Sequence, residues 1–317
     1  MPNDFRPPLP QDRPGAQIPS GATEHSIHFR SPAELAAYTR YDRLARTGPL
    51  LLARHAGGHP DGSWPGSALE SAQHLLATRA RTMIEIDLRT TVDGRCVVLH
   101  DPVLGTVSTG AGPVTDQSAD YVLTQHLLDN YGEVTPFEIR EAGDFLAWAA
   151  RAGAVLWLNV HGAPPELVVD LVRAHGAESQ VVVGVAGRAE LAAYRRLAPE
   201  LVCFVPAHPD GLLAVDDIRH EAADLDRVIG FAGDYVPDLE ASLRLHAWNV
   251  PLRLDLHHYD EVLPADAVDP RYYRRAVETG FRIISTGHYR EVADLLGLRA
   301  WAPPAAQVRD PHGTRHS

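Results

Sequence analysis

From residue 50 onward, short runs of aliphatic and β-branched residues alternate with longer stretches whose apolar positions recur at helical spacing. The strand-like runs are LLLAR (50–54), TMIEIDL (82–88), AVLWLNV (154–160), VVVGV (181–185), LVCFV (201–205), RVIGF (227–231), PLRLDLH (251–257) and FRIIST (281–286). Between them lie SALESAQHLLATR, REAGDFLAWAARAG, PPELVVDLVRAHG, RAELAAYRRLAPE and RYYRRAVETG, several closing on the glycine that commonly ends a helix. Eight such strand–helix units predict an α/β fold of the TIM (β/α)8 barrel type. A doubly wound sheet usually has fewer strands and often opens on a Gly-rich turn, which is missing.

Side chains along a strand point alternately to opposite faces. In strand two, Ile84, Ile86 and Leu88 share one face while Glu85, Asp87 and Arg89 share the other. In strand three, Leu156, Leu158 and Val160 oppose Trp157, Asn159 and His161. Strand seven sets Leu252, Leu254 and Leu256 against Arg253, Asp255 and His257. In a barrel the apolar face meets the helices, so three strands send polar groups toward one axis. Asp87, Asn159, His161 and His257 all fall late in their strands, at the end where barrel enzymes carry their chemistry. Two carboxylates on one buried face repel each other unless a cation lies between them. Hard oxygen donors suit Mg²⁺ or Ca²⁺, and no His-x-x-x-His spacing suggests zinc. The bland alternative is an ion-pair layer that merely fills the lumen, such as Arg253 with Asp255.

The segment TVDGRCVVLHD follows strand two directly. Asp93-Gly94 is a strong hairpin signal, so a short hairpin returns His100 to the barrel mouth. Residues 104–136 read as an irregular Gly- and Thr-rich insertion followed by a short helix.

The 317 residues suit one large domain at 31–298, flanked by a disordered Pro-rich arm (1–30) and a flexible tail (299–317). The two cysteines, Cys96 and Cys203, lie apart inside apolar runs, as buried reduced thiols of a cytoplasmic protein would. A net charge of −12 argues against nucleic acid as a partner, and no apolar run is long enough to cross a membrane. All 29 basic residues are arginine, which excludes Schiff-base and phosphate-loop chemistry, since both need lysine.

RHAGG at the end of strand one, IEIDLRTTVDGRCVVLHDP with its hairpin, TGAGPVTD, the helix after TPFEIREAGDFLAWA, and FRIISTGHY at strand eight together resemble the glycerophosphodiester phosphodiesterase family. That family belongs to a superfamily of TIM barrels which also holds phosphatidylinositol-specific phospholipase C and sphingomyelinase D. The resemblance spans roughly residues 48–295 and is most specific over 50–103. It implies cleavage of a small phosphodiester by two histidines and one divalent cation, Mg²⁺ or Ca²⁺, with a cyclic phosphate as a possible intermediate. Carried over, His55 and His100 form the acid/base pair, and Glu85 and Asp87 bind the metal with help from Asn159. Arg54, Arg89, Arg253, His161 or His257 would contact the phosphate.

The chain departs from the family pattern at several of these positions. The strand-three Glu-x-Lys pair is Asn159 and His161. Ala56, not Arg, follows the first histidine, and PGSALES stands where a Glu-Asn-Thr segment is usual. The strand-seven and strand-eight motifs are replaced by LRLDLHHYDE and STGHY. Two further readings therefore stand beside the hydrolase. One is a catalytically silent binding barrel; the other is an enzyme acting on a phosphorylated specialised metabolite through the strand-seven end.

Overall fold

The computed structural model describes residues 20–40, 48–58, 64–78, 82–206, 215–222, 224–231, 233, 238–256, 260 and 269–298. Its centre is a closed parallel barrel of eight strands: β1 (Leu50–Ala53), β2 (Thr82–Thr90), β3 (Leu156–His161), β4 (Val181–Gly184), β5 (Val202–Pro206), β6 (Val228–Phe231), β7 (Leu252–Asp255) and β8 (Ile283–Thr286). Each strand pairs with its sequence neighbour. The ring closes because β1 pairs in parallel with both β8 and β2. All eight strands fall where the hydrophobic runs predicted them.

The alternation within strands divides the interior into two apolar layers. Ile84, Ile86, Leu156, Leu158, Leu252 and Leu254 face outward and pack with the helices. Leu50, Leu52, Met83, Trp157, Val182, Phe204, Phe231 and Ile283 fill the lumen. Burying a large apolar side chain stabilises by about 1.5–3 kcal/mol. That gain is available on both faces here, because a closed barrel exposes neither.

The lumen layer continues into Phe29, Leu35, Ala36 and Tyr38, so the N-terminal segment plugs one end of the barrel. The helix Pro32–Thr39 begins at Ser31, whose side chain accepts from Glu34 N–H. Gln180 fixes the approach to that helix by accepting from Phe29 N–H at 3.0 Å and donating to Ile27 C=O at 3.1 Å. Buried Arg282 donates to Tyr38 C=O at 2.8 Å. The arm expected over 1–30 thus joins the barrel by Ile27 at the latest. Its Pro-rich composition hid two apolar anchors, Ile27 and Phe29, that a barrel floor requires. The expectations for residues 1–19 and for the tail at 299–317 fall outside the described residues.

The hairpin after β2 forms as expected. Cys96–Val98 pairs antiparallel with β2, Leu88 facing Val98 and Thr90 facing Cys96. Gly94, at φ +79°, makes the turn. Asp93 Oδ1 accepts from Thr91 Oγ1 at 2.6 Å and from Ala119 N–H at 3.0 Å. The 104–136 insertion is more regular than expected. It holds a two-residue ladder (Val103–Leu104 with Gly112–Pro113), a single helical turn at Ala119–Val122, and a hairpin of His126–Leu128 with Val134–Glu138. Val97, Leu99, Leu104, Val114, Val122, Leu127 and Ile139 give it a small core of its own. Both cysteines are buried and free, and among the described residues no helix is long and apolar enough to cross a membrane.

Candidate active site

β1 ends in a turn of unusual backbone. His55, Ala56 and Gly57 take φ values of 49°, 57° and 78° in succession. Left-handed conformation costs a non-glycine residue about 1–2 kcal/mol, so other contacts must hold it. Several do. His55 N–H donates to Glu85 Oε2 at 3.0 Å, and His55 C=O accepts from Ser67 N–H at 2.9 Å. The Tyr289 hydroxyl, from the helix after β8, donates to Gly57 C=O at 2.8 Å. A β-carbon at Gly57 would lie 2.9 Å from Leu75 Cδ2, so both space and φ demand glycine there.

His100 arrives from the hairpin. Leu99 N–H donates to Asp87 C=O at 3.0 Å, and His100 N–H donates to Ser67 Oγ at 3.1 Å. Arg89 Nε donates to Leu99 C=O at 3.1 Å and to His100 C=O at 2.9 Å. The two imidazoles then stand with centroids 4.2 Å apart and planes inclined at 50°. Asp101 Oδ1 meets His100 Nδ1 at 2.7 Å, which leaves Nε2 as the exchanging nitrogen.

The acids come from β2, and the parallel register with β3 sets Asp87 beside Asn159 and Arg89 beside His161. The Asn159 amide donates to Asp87 Oδ1 at 2.9 Å and to Glu85 Oε1 at 3.3 Å. His161 Nε2 meets Asp87 Oδ1 at 2.8 Å. Arg54 Nε lies 3.8 Å from Glu85 Oε2, and its Nη1 lies 3.6 Å from Asp255 Oδ2. Burial and the neighbouring Asp87 charge push the Glu85 carboxyl up to about 7, against the pull of Arg54 and the His55 N–H. Burial would raise Asp87 as well. The His161 hydrogen bond and the nearby imidazoles outweigh it and hold Asp87 below its ordinary value.

The structure therefore gathers His55, His100, Glu85, Asp87, Asn159, His161 and Arg54 at one rim. His55, Asp87 and His100 each bring a potential ligand atom, and all three atoms lie within 4.8 Å of one another. Asp87 Oδ2 is buried and has no hydrogen-bond partner among the described residues. An orphaned carboxylate oxygen beside a second acid fits a divalent cation, which would supply the missing partner.

Two residues expected at the phosphate are engaged elsewhere. Arg89 spends its guanidinium on the carbonyls that carry His100. Arg253 is buried in the lumen, with its guanidinium carbon 4.9 Å from the Phe204 ring centroid, 5.3 Å from Trp157 and 6.0 Å from Phe231. It also pairs with Asp255 and donates to Ser285 Oγ at 3.3 Å. Arg253 is thus the lumen ion pair that the bland alternative named, reinforced by three rings. His257 lies outside the described residues.

Sequence reasoning missed Ser67, which joins the backbones of both histidines from φ +62°. It also missed Asp260, a buried acid that accepts from Tyr273, Thr286 and Gly287 N–H behind the β8 turn. Burial raises the Asp260 carboxyl above its ordinary value. Neither residue lies in a barrel strand, so strand periodicity could not have found it.

Comparison with known proteins agrees with this geometry. Residues 61–145, from the loop after the first histidine through the hairpin and its insertion, match the model of the glycerophosphoryl diester phosphodiesterase family. Uncharacterized protein YqiK of Bacillus subtilis (strain 168) is 26% identical over 125 residues, 37% of this chain; the match spans about half of that relative's length (51%). Among solved structures, a glycerophosphoryl diester phosphodiesterase from Parabacteroides distasonis superposes with a TM-score of 0.74 at 21% identity, covering 86% of this chain and 93% of the other. An Oleispira antarctica phosphodiesterase in complex with the product sn-glycerol-3-phosphate gives 0.62 at 14% identity, covering 79% and 98%. At these identities the structural likeness speaks for the fold.

Proposed function

We propose that this chain, a divergent member of the glycerophosphoryl diester phosphodiesterase family, cleaves a glycerophosphodiester or a related small phosphodiester by two-histidine acid/base catalysis. The observation that carries the reading is the meeting of the His55 and His100 rings, from separate elements, beside the Asp87 carboxylate, with Glu85 accepting from His55 N–H. His100 takes a proton at Nε2 from the attacking hydroxyl or water, and Asp101 at Nδ1 steadies the imidazolium that results. His55 gives a proton to the leaving alkoxide. Attack by a neighbouring substrate hydroxyl yields a cyclic phosphate; attack by water yields the monoester directly.

Glu85 and Asp87, with Asn159 turned to offer its amide oxygen, would hold one Mg²⁺ or Ca²⁺. That ion would offset the phosphate charge and lower the cost of developing charge at the attacking oxygen. Asn159 in place of an acid leaves the set one negative charge short, so the ion is held more weakly than by three carboxylates. Arg54 and His161 stand beside the two acids, and we assign them to the phosphate oxygens.

A panel of phosphodiesters assayed with Mg²⁺, Ca²⁺ or chelator, with His55→Ala as blank, tests the reading. Turnover should need the cation and fall about 10²–10⁴-fold in the variant. A panel left intact, or a variant as fast as the parent, would overturn it.

A further inference from the structure

The rim also holds a donor set that a hard cation does not need. Two imidazoles and one carboxylate, from His55, His100 and Asp87, converge to within 4.8 Å of one another. Mg²⁺ and Ca²⁺ seek oxygen, whereas mixed nitrogen and oxygen donors suit a borderline ion such as Zn²⁺. A tetrahedral Zn²⁺ with bonds of about 2.0–2.1 Å wants its ligand atoms about 3.3 Å apart, so the set must tighten by roughly an ångström or more. The His100 side chain, 43% exposed at the rim, has room to make that movement.

The outer partners of such a site are already in place. Metal-binding histidines usually give their second ring nitrogen to a carboxylate or carbonyl, which orients the ring and raises its basicity. His100 does so through Asp101 at 2.7 Å. Asp87 Oδ1 is fixed by Asn159 and His161, while Oδ2, buried and without a hydrogen-bond partner among the described residues, remains for a ligand.

We infer that His55, Asp87 and His100 form a Zn²⁺ site that overlaps the catalytic centre, and that Zn²⁺ bound there inhibits the chain by occupying both imidazoles. The inhibition rests on the phosphodiesterase reading; the binding does not. Isothermal titration of Zn²⁺ into the untagged, chelator-stripped full chain tests the site, with diester turnover at saturating Ca²⁺ measured in parallel. One Zn²⁺ should bind per chain at this site. His55→Ala and His100→Ala should abolish it, Asp101→Asn should weaken it 10–100-fold, and the exposed His220→Ala should leave it unchanged.

Zn²⁺ affinity unchanged from the parent in either alanine variant would overturn the site. Should His55→Ala fail to fold, the visible spectrum of the Co²⁺-loaded parent serves instead: His100→Ala should erase it, and a spectrum surviving that change would overturn the site as well. Capture of Zn²⁺ by a chain that cleaves no diester would keep the site and refute the phosphodiesterase. Cleavage indifferent to bound Zn²⁺ would refute the inhibition and leave the phosphodiesterase standing.

Discussion

Replacing Glu85 by glutamine should stabilise the metal-free chain, and the gain should depend on pH. Burial and the Asp87 charge push this carboxyl up to about 7, from an ordinary value of 4.5. An acid whose folded pKa is raised favours folding fully only while it is protonated. That favour is lost as pH climbs from 4.5 through 7. The rise corresponds to about 3 kcal/mol between the two limits. The single amide oxygen of Glu85→Gln can keep the His55 N–H contact without the charge, so the variant should gain about 2.5 kcal/mol on the parent between pH 5 and pH 8. Asp87 has the opposite sign. Held below its ordinary value, it contributes stability that fades only as pH falls below about 4, outside this window. Urea denaturation of both proteins in chelator, at pH 5, 6, 7 and 8, reads the difference directly. Ca²⁺ added at pH 8 should return stability to the parent and not to the variant. A difference that stays constant across the four pH values would refute a buried, uncompensated carboxylate at this position.

Three further outcomes follow from named contacts. Ser67→Ala deprives the His100 N–H of its acceptor at 3.1 Å, which should cost about 1–3 kcal/mol in denaturant midpoint and lower kcat more than it raises KM. Arg253→Met leaves Asp255 with a lost partner in the lumen. Breaking a buried pair costs about 3–5 kcal/mol, so thermal unfolding should shift strongly even though Arg253 is assigned no part in the chemistry. Phe29→Ala opens the barrel floor and should cost about 3–5 kcal/mol by denaturation, a loss that a disordered arm at this position would not produce.

Much of this molecule is legible in its sequence. Period-two alternation in a barrel strand is a direct record of which face meets helices. Ile84, Ile86 and Leu88 therefore pointed outward, and Glu85 and Asp87 inward, from spelling alone. The convergence of β2 and β3 followed from the same rule, because neighbouring parallel strands put their late polar residues side by side. What could not be read were the contacts made by backbone. Arg89 is one of the five residues offered for the phosphate. Its partners are two carbonyls of the returning hairpin, and no sequence pattern records where a carbonyl points. Arg253 was ambiguous for a related reason: its three aromatic neighbours come from β3, β5 and β6, far apart in the chain. Ser67 and Asp260 act from outside the barrel strands, where periodicity carries no information. Ile27 and Phe29 were hidden by the polar, Pro-rich segment that precedes them.

The most direct measurement is ³¹P NMR of a glycerophosphodiester incubated with the Ca²⁺- or Mg²⁺-loaded full chain, the His55→Ala and His100→Ala proteins run alongside. Two imidazoles working on one phosphorus predict that the diester resonance gives way to a monoester or cyclic phosphate with the parent, and that either single substitution stops the change. A diester resonance that persists with the parent, or decays equally in all three samples, would contradict a shared catalytic centre at this rim.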